Sequence, residues 1–303
     1  MKIFFEIAFF AFSVDIGVSF LYNKYGKRGE DMIYDMHAHT DSSHDARQTI
    51  DELCVSAIEK GLTGVAVTDH ANLTEYSERL VSRLKRSISQ SKEANEKYQG
   101  RLRVFTGIEL AEQLEDEKIL AELMGLADYD VVLASRHFVR YFKDEWETPY
   151  SRIDFSHRSD DEIREFFLLY LEGVHELVEK ADFDILTHLT CPLRYINGKF
   201  KRGVRVEDYE SEIRDILKAV ISRDLVLEVN TSGLGNAHGE TMPCDKVLSW
   251  YKELGGHKIS LGGDSHVYGK VANGFDTETE VLKKLGFNSH CYFEKRVCHE
   301  ISF

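Results

Sequence analysis

The chain has 303 residues, 43% of them hydrophobic and 30% charged, which is the composition of an ordinary soluble globular protein. Only three prolines occur, which excludes a long proline-rich linker. The 38 basic and 52 acidic residues give a formal net charge of −14, which disfavours nucleic acid and anionic membranes as partners.

The first 31 residues are rich in phenylalanine and form an apolar run that resembles a signal peptide or a membrane anchor. Glu6 and Asp15 interrupt this run and argue against both, because a carboxylate near the middle of a bilayer costs about 2.5–3.5 kcal/mol. We interpret residues 1–31 as an N-terminal extension that is non-native or dispensable, with translation from Met32 as one explanation. A packed N-terminal helix and a membrane-associated segment are the alternatives.

Seven short apolar runs follow from residue 33 onward. They are rich in Val, Ile, Leu and Phe and do not alternate with polar residues, which is typical of strands buried in a parallel sheet. The predicted strands are Ile33–His37, Gly64–Thr68, Arg103–Ile108, Asp130–Ala134, Phe183–Thr187, Leu225–Val229 and Lys258–Leu261.

Amphipathic segments with helix-boundary signals separate these strands. Thr49 with Glu52 three residues later predicts a capping box, and Gly61 predicts the end of that helix. Ser159 precedes an acidic first turn, and Pro243 is expected to open a later helix. Seven strand–helix repeats predict a closed α/β barrel, and the lack of a G-x-G-x-x-G or Walker-type loop disfavours an open nucleotide-binding sheet.

Imidazole and carboxylate side chains occur at or just past the carboxyl ends of six of the seven predicted strands. In chain order they are His37 and His39, Asp69 and His70, Glu109, His137, His188, and Asp264 and His266. In a barrel these strand ends converge on one face. Residues i and i+2 of a strand share a face, so His37 and His39 are expected to point together into the barrel mouth.

These side chains are typical ligands of divalent metal ions. They suit zinc, manganese or iron without discriminating among them, and they exceed what one ion needs, so we predict two or three ions. The Glu109 carboxylate has two oxygens and is suited to bridge two of them. Bound ions would also let an acidic chain hold an anionic substrate.

The five cysteines are odd in number and contain no C-x-x-C pair. This pattern argues against a disulfide framework and against a thiolate metal site. We therefore expect reduced thiols in a cytoplasmic protein.

The motifs DMHAHT, VTDH, GIEL, DILTHLTCPLRY, LEVNTSG and GGDSH occur in this order from Met32 almost to the C-terminus. In these motifs the chain resembles the polymerase and histidinol phosphatase (PHP) family, and within it the bacterial histidinol-phosphatases. The resemblance implies that residues 32–303 form the catalytic domain, a distorted seven-stranded (β/α)7 TIM-like barrel. It also implies a trinuclear metal centre at the carboxyl ends of the strands.

The resemblance further implies roles for individual residues. One part of the cluster would be served by His37, His39, Glu109 and Asp264. The remainder would be served by His70, His137, His188 and His266. A further ligand is expected shortly after the H-x-H pair, where spacing favours Asp45 over His44. Arg194 would contact the substrate phosphate, whereas residues 234–236, LGN, stand where many relatives carry an arginine.

Together these features predict a metal-dependent phosphomonoesterase. The ligand set indicates the phosphoester class, and only the resemblance indicates the substrate, L-histidinol phosphate, which would be hydrolysed to L-histidinol and phosphate in histidine biosynthesis. Clustered ions would neutralise the phosphoryl oxygens and lower the pKa of a bound water toward about 7. Arg194 would donate bidentate hydrogen bonds to phosphate, and an unligated water or Asp264 would supply the proton for the leaving alcohol.

Two alternatives stay open at this point. One is a phosphoesterase of the same family with another substrate, such as a tyrosine or nucleotide phosphatase. The other is a non-catalytic, metal-dependent binding module. Glu228 and Asn230 also have two interpretations, a position near the substrate or a role in barrel packing and loop capping.

Overall fold

The computed structural model describes residues 32–303, so the predicted extension of residues 1–31 lies outside the described residues. The strands are β1 (Tyr34–Ala38), β2 (Gly64–Val67), β3 (His70–Asn72), β4 (Arg103–Ala111), β5 (Val131–Ser135), β6 (Ile185–Leu186), β7 (Val226–Asn230), β8 (Ile259–Gly262), β9 (Ser289–Glu294) and β10 (Val297–Ser302). The α-helices are α1 (Ile50–Glu59), α2 (Glu78–Lys97), α3 (Glu117–Met124), α4 (Asp160–Lys180), α5 (Glu210–Ser222), α6 (Asp245–Glu253) and α7 (Phe275–Lys284). Shorter helical turns occur at Leu73–Glu75, Lys143–Glu145, Phe155–His157, Arg194–Lys199 and Val206–Tyr209.

The main sheet runs in the order β1-β2-β4-β5-β6-β7-β8, and each neighbouring pair is parallel. A bridge between Ala38 and Ser265 brings the first strand next to the segment that follows the last. There the Asp264 amide donates to the His37 carbonyl at 2.7 Å, and the His39 amide donates to the Ser265 carbonyl at 2.9 Å. The sheet is therefore a nearly closed barrel surrounded by helices, which confirms the predicted fold class.

All seven predicted strands are present, but two details of the prediction were wrong. Strand β4 continues to Ala111, so Glu109 lies within the strand and not after it. His70 begins β3, an additional three-residue strand that pairs with β4. A strand of three residues is too short to give a periodic pattern in the sequence. Beyond the end of β2, β3 pairs with β4 on that side of the strand.

The helix boundaries follow the predicted signals with one exception. Thr49 and Ser159 each form the expected capping box. The helix predicted to open at Pro243 instead begins at Asp245. Met242 is still held in an extended segment there, because its amide and carbonyl both bond to Asn230.

The two ends of the barrel differ in polarity. Near the amino ends of the strands the interior is apolar and includes Met36, Phe105 and Leu133. The antiparallel β9–β10 hairpin, which was not predicted, covers this end, and its Tyr292 stacks on Tyr34 with ring centroids 4.1 Å apart. The predicted metal ligands lie at the opposite, carboxyl end of the strands. Among residues 32–303, no helix is both long enough and apolar enough to cross a membrane.

Candidate metal centre and active site

The structure brings the nine predicted ligands together at the carboxyl end of the barrel. Each has a nitrogen or oxygen within 3.7 Å of another member of the set. The set consists of His37, His39, Asp45, His70, Glu109, His137, His188, Asp264 and His266. Asp69, from the same group of strand-end residues, instead accepts hydrogen bonds from Thr40 and Ser87 and braces the loop after β1.

Glu109 lies at the centre of the set and is fully buried. Its Oε2 lies 2.6 Å from His70 Nδ1 and 3.6 Å from the Nε2 atoms of both His37 and His39. Its Oε1 lies 2.9 Å from His188 Nε2 and 3.3 Å from His137 Nε2. The two oxygens thus face different histidines, which is the arrangement that a bridging carboxylate requires.

Asp45 faces two members of the set, one on β3 and one after β8. Its Oδ1 lies 3.5 Å from His70 Nε2, and its Oδ2 lies 3.4 Å from His266 Nε2. The adjacent His44 has its Nε2 3.9 Å from Asp45 and lies beside the set, not between its members. Asp45, and not His44, therefore faces the other donors. The spacing in the sequence had favoured the same residue.

The donor atoms fit divalent metal ions. Nitrogens bound to tetrahedral zinc at about 2.0–2.1 Å lie about 3.3–3.4 Å apart. His39 Nε2 lies 3.3 Å from Asp264 Oδ1, which is this spacing, and 3.0 Å from His37 Nε2, which is slightly shorter. Buried Glu109 Oε2 and His70 Nδ1 have no hydrogen-bond partner although they lie 2.6 Å apart. Buried polar atoms are rarely left without a partner, and a bound cation would supply one to each of these atoms.

The electrostatics favour the ligand forms of two central residues. Burial lowers the pKa of His39, and the nearby His70 and His266 lower it further, well below its usual value. Burial would raise the pKa of Glu109, but His70 and His137 outweigh that effect and hold it well below the usual range. These shifts favour a neutral imidazole at His39 and a carboxylate at Glu109, the forms that bind metal.

Glu228 supports the centre from the layer beneath it. Its Oε1 lies 2.6 Å from His37 Nδ1, while its Oε2 accepts from the His188 amide at 2.7 Å and from Asn230 Nδ2 at 3.1 Å. Gly262 leaves the necessary space, because a Cβ there would lie 1.9 Å from Glu228 Oε1. The structure therefore favours a supporting role over a position beside the substrate. A glutamate within an otherwise apolar buried strand was the signal in the sequence.

Two further residues that sequence reasoning missed hold His137. Asn72 Oδ1 lies 3.0 Å from His137 Nδ1, and Glu112 Oε1 accepts from the backbone amides of His137 and Phe138 at 2.6 and 3.0 Å. Both Asn72 and Glu112 are buried. Because ligand histidines in proteins generally bond a second group through their other nitrogen, Asn72 fixes the orientation of the His137 ring.

The backbone at two of the predicted ligands is strained. His188 has φ 26° and Asp264 has φ 47°, values that residues other than glycine rarely adopt. The surrounding structure holds both, through the His188 amide on Glu228 and the Asp264 amide on the His37 carbonyl. Strain of this kind concentrates at functional sites, where the fold fixes a side chain in one position.

A cavity opens above the centre. Six of the predicted ligands line it, together with other residues that include Tyr150, Arg152, Arg194 and Tyr195. Arg194 donates from Nη1 to Ser232 Oγ at 2.8 Å and from Nη2 to the Tyr195 hydroxyl at 2.7 Å, and Nη1 lies 3.7 Å from Asp264 Oδ2. Arg152 comes from an irregular segment with no motif, and no pattern in the sequence pointed to it. The cavity therefore combines a cluster of metal-ligand types with two guanidinium groups.

Comparisons with known proteins identify relatives of the chain. The PHP domain family model matches residues 35–232. A protein named "Probable histidinol-phosphatase" from Thermotoga maritima is 27% identical over 254 residues, which cover 84% of this chain and 92% of that protein. Another of the same name from Clostridium acetobutylicum is 24% identical over 271 residues, covering 88% and 98%.

A solved structure has the same fold. It is histidinol phosphate phosphatase from Lactococcus lactis subsp. lactis, complexed with zinc, L-histidinol and phosphate. It superposes with a TM-score of 0.74 at 21% identity, covering 89% of this chain and 99% of that one. The family model covers well over half of this chain, from the first predicted strand to the loop after β7. The chain therefore belongs to the PHP domain family.

Proposed function

We propose that the chain is a metal-dependent phosphomonoesterase that hydrolyses L-histidinol phosphate to L-histidinol and phosphate in histidine biosynthesis. The observation that supports the phosphoester class is the clustering of nine metal-ligand side chains, six of which line one cavity together with two arginines. The choice of substrate is supported by the relatives named histidinol-phosphatase and by the Lactococcus lactis structure with L-histidinol and phosphate.

We assign the nine predicted ligands to two or three divalent ions. Zinc is supported by the Lactococcus lactis complex, and the imidazole and carboxylate donors also suit manganese and iron. Within residues 32–303, three groups of donors have all their ligand atoms within 4.8 Å of one another, and Glu109 belongs to two of them. When bound, such ions would supply Lewis acidity toward the phosphoryl oxygens and lower the pKa of water to about 7.

The chain's own residues would bind and orient the ester. Ser232 and Tyr195 hold the Arg194 guanidinium beside Asp264, at the edge of the centre. From this position Arg194 would donate two hydrogen bonds to phosphoryl oxygens, which its planar fork matches. Arg152 provides a second guanidinium in the same cavity. We assign Asp264, which lines the cavity, to take the proton of the attacking water and pass it to the departing alkoxide.

A cytoplasmic location is proposed as well. All five cysteines are free thiols, and Cys54, Cys191 and Cys291 are buried. Reduced thiols are the usual state in the cytoplasm.

The test is phosphate release by metal-loaded protein from L-histidinol phosphate, a panel of other phosphomonoesters and one phosphodiester, with His37→Ala as the control. We expect a strong preference for L-histidinol phosphate that is lost in the variant together with bound metal. Activity on other esters alone would keep the phosphoesterase class and reject the substrate. Ligand binding without turnover across the panel would instead favour a non-catalytic module.

A further inference from the structure

One carboxylate in the cavity has no role in the proposed metal centre. Among the described residues that line the cavity, the acidic ones are Asp45, Asp264 and Glu75. The first two are assigned to the metal centre. Glu75 is exposed at the mouth of the cavity and ends the helical turn Leu73–Glu75, directly after β3.

The structure holds the Glu75 carboxylate in place. Leu73 anchors the turn and is only 3% exposed. Glu75 Oε2 accepts a hydrogen bond from Asn72 Nδ2 at 2.9 Å, and Asn72 Oδ1 lies 3.0 Å from His137 Nδ1. Asn72 itself is buried, with 4% of its surface exposed. The carboxylate is thus fixed two hydrogen bonds away from a predicted metal ligand, on the side of β3.

The other charged groups that line the cavity and are not assigned to the metal centre are Arg152 and Arg194. Both suit the phosphate dianion, and both would repel a positively charged leaving group. L-Histidinol phosphate carries an ammonium group on the carbon next to the ester-bearing carbon, and an imidazole that takes a proton near neutral pH. A carboxylate is the side chain that complements such a cation.

We propose that Glu75 selects phosphomonoesters whose leaving alcohol carries a positive charge. This inference rests on the proposed phosphomonoesterase function and specifies its substrate class. It gives the two sides of the cavity different tasks, because the arginines bind the phosphoryl group and Glu75 binds the cationic part of the alcohol.

The test is Glu75→Gln, assayed on L-histidinol phosphate, phosphoethanolamine and glycerol phosphate. Glutamine keeps an oxygen that accepts from Asn72 and removes only the charge. We expect kcat/KM to fall about tenfold for the two cationic esters, mainly through KM, because a charge-assisted hydrogen bond is lost. Glycerol phosphate has a neutral alcohol, so its kcat/KM should change less than twofold. The matched control is Glu78→Gln, which removes an exposed charge from the first turn of α2, outside the cavity lining.

Several outcomes would overturn the proposal. An equal loss on all three esters, or a lower metal content, would mean that Glu75 acts through Asn72 on His137 and does not select substrates. Wild-type protein that does not prefer phosphoethanolamine to glycerol phosphate would also contradict it. Calorimetric binding of L-histidinol with inorganic phosphate gives a readout without turnover, and equal affinity in wild type and Glu75→Gln would overturn the inference. Preference for phosphoethanolamine without any hydrolysis of L-histidinol phosphate would reject the proposed substrate and keep the role of Glu75.

Discussion

Replacing Glu228 with glutamine tests how the layer beneath the candidate centre acts on it. Each carboxylate oxygen of Glu228 accepts hydrogen bonds, one facing His37 Nδ1 at 2.6 Å and the other facing the His188 amide and Asn230 Nδ2. Glutamine has the same shape but only one oxygen. Its NH2 group must therefore face either His37 or the two donors.

Both orientations of the glutamine amide are unfavourable. If the oxygen faces the two donors, the NH2 group forces His37 Nδ1 to accept and moves the ring proton to Nε2, the atom that faces Glu109 and Asp264. If the amide is rotated by 180°, its NH2 group faces the His188 amide and Asn230 Nδ2, which then have no acceptor. Either arrangement loses about one hydrogen bond to a charged group, roughly 1.5–3 kcal/mol. This corresponds to a loss of metal affinity of about 10- to 100-fold, the range found for supporting partners of metal ligands.

The assay is competition for zinc between the protein and a chelator of known affinity, with circular dichroism to show that the variant is folded. Glu278→Gln is the matched control, because Glu278 is also a buried carboxylate but lies in α7, outside the candidate centre. We expect only Glu228→Gln to lose affinity. If folded Glu228→Gln binds zinc as tightly as wild type, Glu228 does not control the proton position on His37, and the reasoning is wrong.

Three further predictions follow from the structure. Gly262→Ala is expected to lower zinc affinity as much as Glu228→Gln in the chelator assay, because its Cβ would lie 1.9 Å from Glu228 Oε1; unchanged affinity would show that the strand yields. Arg194→Met is expected to raise KM for the ester and to weaken inhibition by inorganic phosphate about tenfold, which steady-state kinetics would measure, whereas a loss confined to kcat would contradict a binding role. Burial and the nearby Asp245 raise the pKa of Glu278 to about 7, so the folded state keeps a proton that the unfolded chain releases near its usual value of 4.5. Wild-type stability should therefore fall by about 2–3 kcal/mol relative to Glu278→Gln as the pH rises from about 4.5 to about 7, and urea unfolding at pH 5 and pH 8 that shows no such difference would refute the assignment.

The sequence was sufficient for the barrel strands and for the side chains that meet at their carboxyl ends. Buried parallel strands are continuous apolar runs, so their positions could be predicted, and the spacing of His37 and His39 predicted which face they share. The partners of these ligands could not be predicted in the same way. Glu228 meets His37 across 191 residues of chain, and periodicity predicts a face but not a partner on another strand.

Short and irregular segments were also beyond reach of the sequence. Strand β3 has three residues, and Arg152 lies in a segment without periodic structure, so neither gives a pattern. Asn72 and Glu75 belong to the same short stretch and were missed for the same reason. The ligand types and the strand ends that carry them were predictable, whereas the residues that orient the ligands and shape the cavity required the three-dimensional structure.

The contact between β1 and the segment after β8, here called the seam of the barrel, affects how the protein unfolds. At the seam the Gly263 amide donates to Asp35, 228 residues earlier in the chain, and His37 and Asp264 lie beside this contact. Under the proposed ligand assignment, one ion would link β1 to the segment after β8. It would act as a cross-link between the first and the last strand of the main sheet. Cross-links that close long loops restrict the unfolded chain most. We therefore expect a chelator to open the seam before the rest of the barrel, with early hydrogen exchange in β1 and after β8.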